Sequence, residues 1–315
     1  MTRAQLPATP GVAASVRELI ALRAHAGRRQ SAASHALAPG AHVSPERSRG
    51  MEFAETRPYQ SGDDARALDW RQTARRGRPY TKLFQQEHER PLQLLVDLGP
   101  SMRFGTRVAF KSVLAARAAA LLAWHALSSG DRVGGMVWNG GDLQVIGPQS
   151  RQHGVLALLG CLAAVSAAAP ATPASSLLVP LHGLARGLRP GSLIIILSDF
   201  STLDAEVERL IMGLARSAEL RLLHVYDSFE AEAPPPGRYQ FTDGQRRLSL
   251  DLRAATARSV YVQAFAAHRL ALEGLARRSG ATLVPLATHM ALDAVLAPTL
   301  LRGPSRRVTS SRVAA

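Results

Sequence analysis

Two short apolar runs constrain this chain more than anything else in it. Leu92–Val96 breaks off at Asp97, and Leu193–Leu197 breaks off at Ser198-Asp199. The second run is an unbroken stretch of Leu and Ile, the pattern of a strand covered on both faces. Each run is followed by a turn and then by a helical pattern. After Asp97 comes Leu98-Gly99-Pro100-Ser101-Met102-Arg103-Phe104-Gly105, then an Ala-rich segment that predicts a helix over 106–128. Buried strands that deliver polar side chains into the turn before a helix belong to open α/β folds. Such folds gather ligand chemistry beyond the carboxyl ends of their strands.

The rest of the chain keeps the alternation. Strands are expected at 132–138, 143–146, 193–197, 219–226 and 281–286. Helices are expected at 152–166, 176–188, 203–216, 255–279 and 290–301. Asp243-Gly244 marks a hairpin between 238–242 and 246–250. This order predicts an α/β fold with a doubly wound, mostly parallel sheet and helices on both faces. Ahead of it, residues 12–27 read as an amphipathic helix with Val16, Leu19, Ile20 and Leu22 on or near one face, and 28–48 as an Arg-rich linker. The expected organisation is an N-terminal helix and linker over 1–48, an extension packed on the core over 49–90, the α/β domain over 91–302, and a disordered basic tail over 303–315.

Composition excludes several classes. Cys161 is the single cysteine, so neither a disulfide framework nor a cysteine zinc site is available. The N-terminal apolar stretch is broken by Arg17 and Glu18, unlike a secretory signal, and the most apolar helix, 113–127, is too short to span a bilayer. A cytoplasmic protein is expected. The net charge of +14 is concentrated at the ends: residues 1–50 hold seven Arg and two Glu, and 301–315 hold four Arg and no acid. No basic stripe is interleaved with aromatics, so a nucleic-acid groove is not indicated; a basic anionic-surface protein stays open as an alternative.

If the strands ending in Asp97 and Asp199 are neighbours, Asp97, Ser101 and Asp199 converge on the carboxyl edge. Carboxylate and hydroxyl oxygens suit a hard cation such as Mg²⁺ or Mn²⁺. Asp-x-Gly-x-Ser followed by a later strand ending in Asp resembles the metal-ion-dependent adhesion site of von Willebrand factor type A domains, whose pattern is Asp-x-Ser-x-Ser, a distant Thr and a late Asp. Asp97 matches the first Asp, Ser101 the second Ser and Asp199 the late Asp; Gly99 stands where the first Ser would be. Ser175 is the best candidate for the distant hydroxyl and Thr172 the second.

An upstream block sharpens the resemblance. Arg57-Pro58-Tyr59-Gln60-Ser61-Gly62-Asp63-Asp64-Ala65-Arg66-Ala67-Leu68-Asp69-Trp70-Arg71-Gln72-Thr73-Ala74-Arg75 is similar to the signature of the family called domain of unknown function 58, in which such a block precedes Asp-x-Ser-x-Ser-Met-x-Phe-Gly. Asp97–Gly105 and Tyr226-Asp227 with Glu230 match that family's later segments, so the resemblance runs over roughly 45–290. It implies a von Willebrand type A-like fold and a bound divalent cation completed by a partner's acidic side chain. It also implies association with a MoxR-type AAA+ ATPase and membrane-anchored type A proteins. Many members carry N-terminal transmembrane helices; this chain is expected to reach the inner membrane only through partners. Within the block, one expectation is a buttress in which Trp70 and Tyr59 bury and Asp63, Asp69, Arg66 and Arg71 pair across the Gly62 turn. The rival expectation is a partner-recognition face, since Trp, Tyr and Arg dominate interface hot spots.

The enzymatic alternative is a serine hydrolase using Ser101, Asp227 and His289, which follow one another in the order found in α/β-hydrolases. Against it, Arg103 occupies the position two residues after Ser101 where a nucleophile elbow needs Gly. A haloacid-dehalogenase reading lacks a second carboxylate at Gly99, and no Gly-rich phosphate loop is present. The expected function is a non-enzymatic interaction module.

Overall fold

The buried apolar runs become adjacent central strands of one sheet. The computed structural model describes residues 11–26, 51–59, 68–86, 91–168, 176–242 and 247–292. In chain order the elements are α1 (Val16–Ala21), β1 (Met51–Pro58), α2 (Trp70–Arg76), β2 (Tyr80–Gln86), β3 (Pro91–Asp97), a 3₁₀ turn at Pro100–Met102, α3 (Lys111–Ser128), β4 (Arg132–Trp138) and β5 (Leu143–Gln149). There follow α4 (Gln152–Ala167), α5 (Leu178–Gly187), β6 (Leu193–Ser198), α6 (Ala205–Ser217), β7 (Glu219–Tyr226), α7 (Ser228–Ala231), β8 (Arg238–Thr242), β9 (Arg247–Asp251), α8 (Ala255–Ser279) and β10 (Thr282–Ala287).

Two units divide these elements, Gln30–Glu89 and the remainder, Met1–Arg29 with Arg90–Ala315. The larger unit holds a six-stranded sheet in the order β10-β7-β6-β3-β4-β5. All neighbours are parallel except β4 and β5, which pair antiparallel. This is mixed α/β architecture with a mostly parallel central sheet flanked by helices. The pleat sorts alternate residues into two cores. Leu94 and Val96 of β3, with Ile195 and Leu197 of β6, pack with α3 and α4. Leu95, Ile194 and Ile196 face the other way, onto Leu181 of α5, Ile211 of α6 and Leu275 of α8. Seven alanines bring α3 close to the sheet, and only Arg117, Leu127 and Ser128 of its residues escape burial.

The N-terminal helix packs into this unit. Leu19 is fully buried. The Trp124 indole donates to the Leu19 carbonyl at 3.0 Å, and the Ala14 amide donates to Ser166 Oγ at 2.9 Å. Arg117, the polar break in α3, pairs with Glu18. The helix itself is shorter than expected, and Val16 and Ile20 are exposed, while Leu19 is buried and Leu22 packs on the core beside it.

The helix after β3 also starts later than expected, at Lys111 rather than 106. Residues 103–110 form a loop held close to itself: a Cβ on Gly105 would lie 2.1 Å from the Ala109 carbonyl oxygen. The expected helix over 290–301 lies outside the described residues beyond 292, as does the basic tail.

In the smaller unit β1 and β2 pair antiparallel, with a register shift between Phe53 and Glu55. Helix α2 is defined at both ends. The Asp69 carboxylate accepts from the amides of Arg71 and Gln72, and Gly77 closes the helix at φ 65°.

Candidate functional site

The strand order reverses between β3 and β6: β4 lies on one side of this pair and β7 on the other. Such a switch point opens a crevice at the carboxyl ends of the strands. Asp97 ends β3, Asp199 follows β6, Asp227 follows β7 and Thr288 follows β10. The parallel register puts all four on the same edge.

Asp97 is buried, with 5% exposure. Its Oδ1 accepts from the Gly99 amide at 2.9 Å and its Oδ2 from the Ser198 hydroxyl at 2.6 Å, a bond joining β3 to β6. Burial and the Asp199 charge push its pKa up to about 6, although the Ser198 and Gly99 donors and the Lys111 charge act to lower it.

Asp199 is equally buried but electrostatically opposite. Burial acts to raise its pKa, yet the Lys111 charge and hydrogen bond, with donors from Ser201 and Ser101, hold it below the ordinary carboxylate value. Lys111 Nζ lies 2.9 Å from Asp199 Oδ2 and 2.7 Å from Glu230 Oε1. Burial would neutralise Lys111, but the Asp199 and Glu230 carboxylates raise its pKa above the ordinary lysine value. The backbone is strained at this point: Phe200 adopts φ 51° with its side chain fully buried. His268 on α8 completes the frame through a 3.1 Å contact between Nε2 and the Asp199 carbonyl.

Asp227 ties the loop before α3 to the edge. Its carboxylate accepts from the Thr106 hydroxyl and the Thr288 hydroxyl, both at 2.6 Å, and from the amides of Thr106 and Phe229. Although burial opposes ionisation, these donors lower its pKa. The Asp227 amide donates to Glu230 Oε2, so Glu230 both caps α7 and reaches Lys111.

The structure therefore brings Asp97, Ser101 and Asp199 together, and adds Lys111, Ser198, Thr106, Thr288 and Glu230. Lys111 carried a visible signal: it is one of two lysines in a chain with 38 basic residues. Ser175 and Thr172 lie outside the described residues, as do Gly62, Asp63 and Arg66. Of the block, Arg57 is placed by its backbone opposite Thr81, and the Tyr59 amide donates to the Pro79 carbonyl at 2.8 Å. Within the smaller unit Trp70 stands at the start of α2 with 71% of its surface exposed, and the Asp69 carboxylate accepts from the backbone amides of Arg71 and Gln72.

The residues of the hydrolase alternative have other partners. Ser101 donates to Asp199, Asp227 is engaged by two threonine hydroxyls, and His289 Nδ1 lies 2.6 Å from Ser228 Oγ. The three residues do not form a relay.

Residues 55–271 match the family described as protein of unknown function DUF58. The chain belongs to the DUF58 family. It is 30% identical over 243 residues to uncharacterized proteins of Mycobacterium tuberculosis and Mycobacterium bovis, covering 76% of this chain and 75% of each relative. Among solved structures, a conserved hypothetical protein BatB from Bacteroides thetaiotaomicron aligns with TM-score 0.42 and 14% identity, over 67% of this chain and 97% of that one. An aerotolerance-related membrane protein from Bacteroides fragilis aligns with TM-score 0.42 and 15% identity, over 65% of this chain and 96% of that one. Among the described residues no helix is long and apolar enough to cross a membrane.

A divalent cation on Asp97, Ser101 and Asp199 does not fit the residues present. Gly99 offers no side-chain oxygen, and the buried Lys111 ammonium already holds Asp199. A dication within about 4 Å of that ammonium would be repelled by about 8 kcal/mol at an effective dielectric of about 20. Among the described residues no group of three or more His, Cys, Asp or Glu side chains is arranged to hold a metal.

Proposed function

We propose that this DUF58 protein is a non-enzymatic protein–protein interaction module with a von Willebrand type A-like plan, docking partners at the carboxyl edge of its sheet. The observation that carries the reading is the meeting of Asp97, Ser101 and Asp199 at the reversal of strand order. Asp97 and Asp199 stand at the ends of two strands about a hundred positions apart in the chain, yet the Ser198 hydroxyl donates to Asp97 and the Ser101 hydroxyl to Asp199, so each strand end is tied to the other's segment. The match of Asp97–Gly105 and of the Arg57–Arg75 block to the family pattern supports the same reading. By that resemblance the partner is a MoxR-type AAA+ ATPase, with the pair acting in assembly or maturation of other complexes. The exposed Trp70 provides a second contact point of the kind interfaces favour.

The test is affinity capture of the full chain from cells that encode it, with quantitative mass spectrometry. Enrichment of a MoxR-type ATPase that falls on Asp97→Ala or Trp70→Ala supports the proposal. Absence of any AAA+ protein, or capture indifferent to both substitutions, rejects it. Because the edge does not suit a dication, capture is expected to be the same with and without chelator.

A further inference from the structure

We infer that the Lys111 ammonium is the resident cation of this edge, standing in the place that a divalent ion would take in a metal-dependent adhesion site. The carboxylates of Asp199 and Glu230 converge on one point, and what they meet there is a side chain. Lys111 begins α3, is 2% exposed, and reaches Asp199 Oδ2 at 2.9 Å and Glu230 Oε1 at 2.7 Å. Its Nζ also lies 5.9 Å from the centroid of the Phe104 ring, within cation–π range. Phe104 in turn packs on Phe229 and Phe241, with centroids 6.2 and 5.9 Å away. One ammonium thus links the end of β6, the start of α3 and the α7 cap, with the Phe104 ring beside it.

A lysine serves this role differently from a metal. It is covalently part of the fold, so it cannot be lost to a chelator or exchanged. It offers hydrogen-bond donors and no open coordination position, so a partner's carboxylate cannot complete it as it would complete a metal. Two carboxylates, those of Asp199 and Glu230, share the one ammonium.

The inference does not depend on which partner binds, and its test uses none. Wild-type protein is titrated with Mn²⁺ at about neutral pH, followed by electron paramagnetic resonance. No saturable binding tighter than about 1 mM is expected. Lys111→Ala is expected to lower Tm by roughly 6–20 °C, and n-propylammonium chloride to recover part of that loss where the same concentration of NaCl or MgCl₂ does not. Lys111→Arg, which keeps the charge, is expected to lose less. Saturable Mn²⁺ binding by the wild type that disappears in Asp199→Asn overturns the inference. So does a Lys111→Ala protein as stable as wild type, or one restored by MgCl₂ and not by propylammonium. If Lys111→Ala does not fold, the wild-type Mn²⁺ titration and the stability of Lys111→Arg decide the matter.

Discussion

Replacing Asp97 by Asn isolates the electrostatic cost of the edge. Burial and the Asp199 charge push the Asp97 carboxyl up to about 6 from its ordinary value of 3.8. An acid whose folded pKa is raised contributes stability that is fully present below the unfolded value and lost as pH rises through the folded value. For a shift of this size the loss is about 3 kcal/mol when complete, of which about 2 kcal/mol falls between about pH 4.5 and pH 8. His224 slopes the other way. Burial, then the nearby His268 charge, lowers its pKa from 6.5 to about 4, while the Asp199 charge acts to raise it. The unfolded chain then binds a proton that the fold refuses, and about 3 kcal/mol is lost on acidification from about neutral pH to below about 4. In the wild type the two slopes oppose each other over the same window. Asp97→Asn is expected to expose the His224 slope. Its stability relative to wild type should rise by about 2 kcal/mol between about pH 4.5 and pH 8, whatever the constant cost of reorienting the Ser198 hydroxyl. Urea unfolding at a series of pH values, followed by tryptophan fluorescence, measures this directly. A difference between variant and wild type that does not change with pH, or that shrinks as pH rises, refutes the reasoning.

The remaining expectations use the same assay. His224→Phe should remove the acid loss, so that stability relative to wild type rises by about 3 kcal/mol as pH falls from about 7.5 to below about 4; a parallel pair of curves contradicts the assignment. Asp227→Ala leaves the Thr106 and Thr288 hydroxyls without their shared acceptor and should cost about 3 kcal/mol. It should also make the loop over 103–110 a new site of limited proteolysis, and an unchanged digestion pattern would show that Asp227 does not hold that loop. Gly105→Ala should cost about 1–3 kcal/mol, because the added Cβ meets backbone at Ala109 and Phe110 that no rotamer change can relieve; a neutral result would mean the loop shifts freely.

Much of the fold was legible because its signals are local. The apolar runs at 92–96 and 193–197 read as strands because a strand covered on both faces has no polar register to keep. Helix 255–279 was bounded correctly, with Gly280 supplying the left-handed cap at φ 71°. Other features were not legible. The start of α3 was placed at 106 because the residues from Thr106 to Phe110 bear no strong helix breaker. What keeps them out of the helix is the bond from Thr106 to Asp227, 121 positions away.

By itself, the sequence determined the alternation of strands and helices and the delivery of Asp97 and Asp199 to strand ends. It also named the family through a block and a turn of contiguous residues. Only the tertiary structure decided what those carboxylates meet. Strand order brings β6 beside β3, and that adjacency lets Ser198 bind Asp97. The close seat of the alanine-rich α3 carries Lys111 beneath Asp199. Spacing along the chain holds no record of this, since the partners are 88 and 119 residues from Lys111. A buried charge is stable only where opposite charges surround it, and packing alone determines which charges those are.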